Sequence, residues 1–390
     1  MSERSRIHAW LMAGLEAVEP GRLTRDAMAT RDGPLTILAI GKAAAAMCRG
    51  AAAAVEQVDG LCITSHEETV PDTIELMIGD HPFPGEASLA AGRRAIEISS
   101  QADVALISGG GSSLCEVPAD GLSIEFVAGV YERLLDAGSN IAEMNLVRSH
   151  LSRTKAGGLG PIPTFLLSDV GGAGPEVVSS GPTIGTRPDP ARVISIMREL
   201  GVTVDSELEE VVRNHNTAAR PTAHVVILAD GRTAAQAISA AVDREIPTRV
   251  HEGWIEGDYQ ENLIGFIGSA ETGVTVAAGE PSVPARPVGR GGRNTHVALT
   301  AARMIDGTSI WFAALATDGV DGSSESAGAI VNGSTLARGG DPAAALAGFD
   351  SASYLNESED LIRTGPTGTN VADVWLIWKP EDGPEPILSL

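Results

Sequence analysis

Lysine is nearly missing from this chain of 390 residues: three of its 28 basic side chains are lysine, at Lys42, Lys155 and Lys379, and the rest are arginine. Basic charge of either kind is scarce, since 51 acidic residues leave a formal net charge of −23. That excess excludes non-specific nucleic-acid binding, which needs a basic face. Cysteine occurs only at Cys48, Cys62 and Cys115. Three widely spaced thiols argue against a disulfide framework and against a zinc site. No apolar run reaches membrane-spanning length. The opening stretch, residues 1–20, is short and amphipathic in its apolar part and has no small-residue cleavage site. It is not read as a signal peptide, and the expected compartment is the cytoplasm. Several motifs are absent as well. Gly41-Lys42 lacks the leading glycine and the following Ser/Thr of a Walker loop, and no G-x-G-x-x-G follows the first strand. There is no G-x-S-x-G elbow, no histidine pair at metal spacing, and no internal repeat.

What is present points to anions. An acidic surface repels anionic ligands, so any anion site is built locally from a few cations and backbone N–H groups. Two of the three lysines sit in small-residue, glycine-containing segments, Ile40–Ala44 and Arg153–Gly158. Lysine meets phosphate as a mobile point charge, arginine as a flat fork.

Short apolar runs alternate with longer helical stretches, the pattern of an α/β chain. Strands are expected at 36–40, 74–78, 104–108, 164–167, 225–229, 274–278, 310–315 and 373–378. Helices are expected at 42–55, 87–99, 124–135, 141–151, 190–200, 206–214, 233–242, 259–268 and 297–304. The length suits two domains. The polar stretch 215–222 sets the expected boundary, giving 1–220 and 221–390. Several strands run into polar, glycine-rich loops, after Ile40, Ser108, Leu167, Ala278 and Leu315. In open α/β sheets ligands bind outside such strand ends.

The loop Ser108, Gly109, Gly110, Gly111, Ser112, Ser113 suits a phosphate: consecutive glycines let backbone N–H groups share one concavity, and the serines add hydroxyls. A plain flexible loop is the other reading. Asp318 and Asp321 stand three apart on one turn and could hold Mg²⁺ or act as a general base; Asp-Gly is also an ordinary turn dipeptide. Asp169, just past a strand, carries the same two readings. Arg293 looks like an anion clamp at a helix start. His81 sits in a proline-locked loop as base, ligand or structural histidine. Asn145 and Arg148 share a helical face, which solvent exposure alone would also explain.

In order along the chain, these motifs resemble the glycerate 2-kinase family, glycerate kinases with a C-terminal MOFRL domain. The matching segments are Ile40–Ala44, Asp80–Ser88, Ser108–Ser113, Asn145–Gly158, Ser168–Val170, Ser180–Thr183, Gly279-Glu280, Gly292–Asn294, Thr317–Gly322 with Ala327–Ala329, and Thr364–Asn370. The resemblance implies a Rossmann-like parallel sheet flanked by helices, a smaller C-terminal α/β domain, and an active site in the interdomain cleft. It implies ATP- and Mg²⁺-dependent phosphorylation of the 2-hydroxyl of D-glycerate to 2-phosphoglycerate. Lys42 and Arg293 would neutralise phosphate and substrate carboxylate, the Ser108–Ser113 loop and Asn370 would face the nucleotide, and Asn145 and Arg148 the substrate. Asp169, Asp318 and Asp321 would hold metal, with Asp318 or Asp321 accepting the hydroxyl proton. Partners are then ATP and a small 2-hydroxy acid, with no nucleic acid and no membrane; a homodimer is among the assemblies allowed.

The chain departs from that pattern in places. Gly171–Gly174 lacks the usual Gly-Asp pair, Thr295-His296 replaces Gln-Glu, Gly85 replaces an aspartate, and Ala229–Gly231 replaces a Gly-Ser-Asn pattern. A substrate lacking the 3-hydroxyl, such as lactate, would need fewer polar contacts and stands as an alternative. A hydroxypyruvate reductase and a non-catalytic homologue are further ones. The role of Lys155, second anion contact or helix-end residue, stays open.

Overall fold

The computed structural model describes residues 1–284, 289–381 and 384–388. The chain forms two compact units, and neither is continuous. Pro20–Asp169 and Ala173–Leu228 make one; Met1–Glu19, Val170–Gly172 and Ala229–Leu390 make the other.

The first unit is built on six strands: β1 (Leu35–Ile40), β2 (Val58–Thr64), β3 (Ile74–Ile78), β4 (Val104–Ile107), β5 (Thr164–Leu167) and β6 (Val225–Ala229). Their order is β3-β2-β1-β4-β5-β6, a parallel sheet of the Rossmann type. β4 and β5 are buried at every position, as strands with helices on both faces must be. Thr164 is tolerated there because its hydroxyl pairs with Ile162 O and with the Thr183 hydroxyl. Helices Ile124–Asp136, Ile141–Leu151, Pro190–Glu199 and Ser206–His215 pack around Val127, Leu134, Val147, Leu151, Val193 and Met197. Fully burying such side chains gives about 1.5–3 kcal/mol each. Each of these helices starts under a side-chain cap, from Ser123, Asn140, Asp189 and Asp205, which satisfies N–H groups the helix cannot. Strand order reverses between β1 and β4. Gly41-Lys42 and the Ser108–Ser113 loop therefore leave the sheet side by side, at the point where such sheets bind ligands.

The second unit holds a mixed sheet ordered β11-β10-β9-β12-β8-β7. Its strands are β7 (Thr248–Asp258), β8 (Gly273–Ser282), β9 (Trp311–Ala316), β10 (Gly328–Asn332), β11 (Leu361–Ile362) and β12 (Asp373–Lys379). β12 lies between β8 and β9, antiparallel to both. The ends of β8 and β9 thus share an edge with the start of β12. Phe266, Phe312 and Trp375 meet at tilted or edge-on angles with centroids 5.8–6.4 Å apart and anchor the core. The helix Glu3–Ala17 belongs to this unit: Trp10 meets Trp378 edge-on at 5.4 Å, and the Arg6 guanidinium lies over both rings. The expected boundary at 220 had grouped that helix with the first half. No helix among the described residues is long and apolar enough to cross a membrane.

Candidate active site

In the parallel-sheet unit the site starts where β1 ends. Gly41 donates its N–H to Ile63 O, and Lys42 donates its N–H to Gly109 O at 2.9 Å. A Cβ on Gly41 would fall 2.3 Å from the Ser108 hydroxyl oxygen, so only glycine lets these two strand ends touch. Ser108 in turn accepts the Ala43 N–H at 3.0 Å. The half-buried Lys42 side chain runs along Gly110. That glycine has φ +88°, and a Cβ there would meet Lys42 Cγ at 2.9 Å. Glycine at 110 both adopts the left-handed conformation and clears a lane for the lysine stem.

The glycine loop is less open than a bare phosphate cradle. Gly111 starts a one-turn helix, Gly111–Leu114, and gives its N–H to the Ser179 hydroxyl at 2.9 Å. Ser179 donates its own O–H to Ser108 O. The Ser180 hydroxyl donates to Asn145 Oδ1 at 2.7 Å, so it accepts from Ser112, 2.8 Å away. Asn145 is fixed by its Nδ2–H to Val177 O. The Ser112 proton is therefore directed inward, and its lone pairs are left to face a ligand donor. Ser179 and Ser180 hold the loop and were not singled out individually in the sequence; their positive φ values are the signal that sequence alone does not carry.

Two other expected residues flank this set. Asp80 and Ser88 bond reciprocally, through Asp80 N–H to Ser88 Oγ and Ser88 N–H to Asp80 Oδ2, which pins the loop bearing His81. The His81 imidazole is lowered by burial and then by the Lys42 ammonium, so it feels the lysine charge. Lys155 is another matter. It is 1% exposed, donates to Cys115 O, and stands 3.9 Å from the fully buried Glu116 carboxylate. It is a core cation and cannot serve as a second anion contact. Tyr131 donates to Glu116, and Arg148 lies over the Tyr131 ring at 5.1 Å. Arg148 reaches Asn145 only at 3.5 Å, so it belongs to that buried cluster more than to a ligand surface. Asp169 is half-buried just beyond β5.

In the mixed-sheet unit a second set gathers at the shared edge of β8, β9 and β12. Arg293 opens the helix Arg293–Met304. Its guanidinium forks onto Asp373 through Nε and Nη2, and Nη1 meets Glu280 Oε1 at 2.6 Å. One cation thus serves two carboxylates. Burial pushes the Asp373 carboxyl up to about 6, with Arg293 opposing the shift. Asp318 sits half-buried on the turn after β9, where its carboxylate accepts the Val320 N–H at 3.0 Å. The loop Thr364–Asn370 packs on this turn through Thr367 N–H to Asp318 O. Asn370 is half-buried beside it.

Two family models match the chain: residues 6–216 match the Domain of unknown function DUF4147, and residues 273–373 match the MOFRL family. The D-glycerate 2-kinase of Thermotoga maritima is 29% identical over 92% of this chain and 94% of its own length. The glycerate 2-kinase of Pyrococcus horikoshii is 31% identical over 88% of this chain and 86% of its own. The chain belongs to the glycerate 2-kinase family with a C-terminal MOFRL domain. A crystal structure of glycerate kinase from Thermotoga maritima superimposes with a TM-score of 0.85 at 26% identity, covering 96% of this chain and 99% of the other. A protein of Agrobacterium vitis, 35% identical over 88% of this chain and 87% of its own, bears the provisional name of a hydroxypyruvate reductase.

Against that family frame, Asp321 changes role. It is 2% exposed, and both carboxylate oxygens are taken: Oδ1 accepts the Asn294 N–H at 2.8 Å, and Oδ2 accepts the N–H groups of Gly292 and Thr295. It caps the helix that carries Arg293, with three backbone donors spread over its two oxygens. Asp321→Ala strands the Asn294 and Thr295 N–H groups at about 1–3 kcal/mol per buried orphan, less whatever water recovers, while Gly292 N–H keeps Thr295 Oγ1. The expected cost is about 2–4 kcal/mol, read as a lower urea midpoint at unchanged slope. The departures have structural uses too. Thr295 Oγ accepts the Gly292 N–H. His296 is buried, pairs with the Tyr259 hydroxyl, stacks on Phe349 at 4.8 Å, and is lowered to about 4 by burial, hence neutral. Gly171–Gly174 has no carboxylate, but Glu176 folds back so that its own lies against Gly174.

Proposed function

We propose that the chain is an ATP-dependent kinase that phosphorylates the 2-hydroxyl of D-glycerate, giving 2-phosphoglycerate and ADP. The observation that carries this reading is Lys42, held in a glycine lane at the switch point of a parallel sheet, in a chain that has almost no other lysine. Phosphoryl transfer asks the protein mainly for positioning and charge neutralisation. The substrate hydroxyl oxygen forms its bond to the γ-phosphorus as the bond to the bridging oxygen of ADP breaks, and the hydroxyl proton leaves to a base. Lys42 neutralises charge on the transferring phosphoryl group. The backbone of the Ser108–Ser113 loop would receive phosphate, and Ser112, turned lone pair outward, would face its counter-ion. Arg293 receives the substrate carboxylate, which takes the place of Glu280 on Nη1 while Asp373 keeps the fork in plane. Asp318 is favoured over Asp321 as proton acceptor, because the Asp321 oxygens are occupied by backbone.

The residues present fit Mg²⁺ in its usual protein setting. No three His, Cys, Asp or Glu among the described residues form a ready cage, and Mg²⁺ is ordinarily held by one or two carboxylates with waters and substrate phosphates. Each unit offers one such carboxylate, Asp169 just past β5 and Asp318 on the turn after β9, and either would serve as the protein ligand. When bound, the ion would neutralise phosphate charge. The two modules 1–220 and 221–390 form part of this proposal as sequence modules, supported by family matches at 6–216 and 273–373, although residues 1–19 pack with the second compact unit. A cytoplasmic location and a homodimer belong to it as well, to be read by fractionation and light scattering.

ATP consumption by the full chain is measured with D-glycerate, L-glycerate and lactate, with ³¹P NMR fixing the phosphorylated position. Glycerate-dependent turnover to 2-phosphoglycerate is expected. Equal or better turnover of lactate would transfer the assignment to that acid, and NADH oxidation with hydroxypyruvate in place of ATP use would replace it altogether.

A further inference from the structure

A cavity of about 310 Å³ opens in the parallel-sheet unit, lined by none of the candidate active-site residues. Its size is at the low end of the roughly 300–1,000 Å³ of small-molecule sites. Arg153, His215 and Arg220 line it, together with the backbone of Gly157, Gly158 and Gly160. Three basic side chains around one hollow is unusual for a chain with a net charge of −23.

Arg220 is the centre of the argument. Its Nη1 donates to Lys155 O at 3.0 Å and to Ala156 O at 3.4 Å. Its Nε and Nη2 make no hydrogen bond among the described residues, and no carboxylate there pairs with it. A half-buried guanidinium without a counter-ion carries an unmet desolvation cost, and its lowered pKa comes from burial alone. Among the described residues Arg153 pairs only with Asp120, at 3.4 Å, and that carboxylate is 94% exposed. So exposed a pair holds Arg153 weakly. His215 gives Nε2–H to Ser152 O at 2.7 Å. That tautomer makes Nδ1 an acceptor, suited to a protonated phosphate oxygen. The fork of Arg220 matches two phosphate oxygens.

We propose that this cavity binds a small phosphate-bearing anion at a site separate from the candidate active site. Both inorganic phosphate and a phosphorylated small acid carry the required group. The cavity wall is tied to the candidate active site by backbone: Ala156 N–H donates to Ser180 O at 3.0 Å and Gly157 N–H to Gly181 O at 2.7 Å. Ser180 is the residue whose hydroxyl accepts the hydrogen bond from Ser112.

The test is calorimetric titration of the full chain carrying Lys42→Ala, which removes the main phosphate contact of the active site. Inorganic phosphate and 2-phosphoglycerate are titrated separately against chloride at matched ionic strength. Saturable single-site binding is expected. Adding Arg220→Ala should weaken it at least tenfold, the equivalent of losing at least one of the fork's two charge-assisted hydrogen bonds. Adding Arg153→Ala should weaken it several-fold, and this exposed residue does not threaten the fold. Equal affinity for the two ligands identifies the bare ion as sufficient; tighter binding of 2-phosphoglycerate adds a carboxylate contact. No binding of either ligand beyond chloride, or a Kd unmoved by Arg153→Ala and by any folded Arg220 variant, overturns the site.

Discussion

Lys42→Ala is expected to lower kcat/KM for glycerate phosphorylation about a thousandfold while leaving the thermal midpoint within a degree or two. Removing one preorganised charge from a phosphoryl-transfer site typically costs on the order of 10²–10³ in rate, and catalytic cations can cost more. A thousandfold loss corresponds to about 4 kcal/mol of barrier. The fold should not notice, because Lys42 is half-buried and its backbone bonds, to Gly109 O and through the Gly41–Ser108 contact, survive the truncation. Lys42→Arg is expected to recover little. The lane beside Gly110 admits an unbranched stem in contact at 2.9–3.4 Å from a Cβ position, and a guanidinium is a wider, flat head with different reach. Steady-state kinetics beside a melting curve read both variants. Near-normal activity in folded Lys42→Ala would remove the lysine from the mechanism.

How much of this was readable beforehand depends on how local the cause is. The strands β4 and β5 are buried on both faces, so their composition alone declares them, and the helix Ile141–Leu151 falls on its expected residues. β7 was missed: at the sheet edge it is buried at one position out of eleven and carries Arg, His, Glu and Asp. β2 was missed because Asp59 and Gly60 break its apolar run. In the site, Lys42 was legible because scarcity and a glycine setting are sequence properties. The role of Asp321 was not, since its donors lie 26–29 residues earlier. Asp373 was visible only as the first residue of a strand; its partner Arg293 is 80 residues away. Roles that come from pairing across a fold leave no mark in local spacing.

Arg293→Ala is expected to cost both stability and activity, and pH separates the two losses. Removing one partner of a buried ion pair leaves an uncompensated charge, at about 3–5 kcal/mol. Here Asp373, 1% exposed, would keep its carboxylate beside Glu280 with no guanidinium between them. Its carboxyl is already pushed up to about 6 by burial with Arg293 in place; without Arg293 the same burial acts unopposed and raises it further. A carboxyl with a raised folded-state pKa binds more protons folded than unfolded. Its contribution to stability is therefore full below the unfolded value and is lost as pH rises through the folded one. Urea unfolding of Arg293→Ala should show a large deficit at pH 8 that narrows steadily toward pH 5, whereas the parent protein changes less over that window. Arg293→Ala with Asp373→Asn removes the buried charge and should regain most of the stability at pH 8. On the proposed function it should regain none of the activity, because the substrate carboxylate would still lack its fork. A double variant that recovers turnover along with stability would reduce Arg293 to a structural ion-pair partner and leave Lys42 alone to handle charge in the transfer.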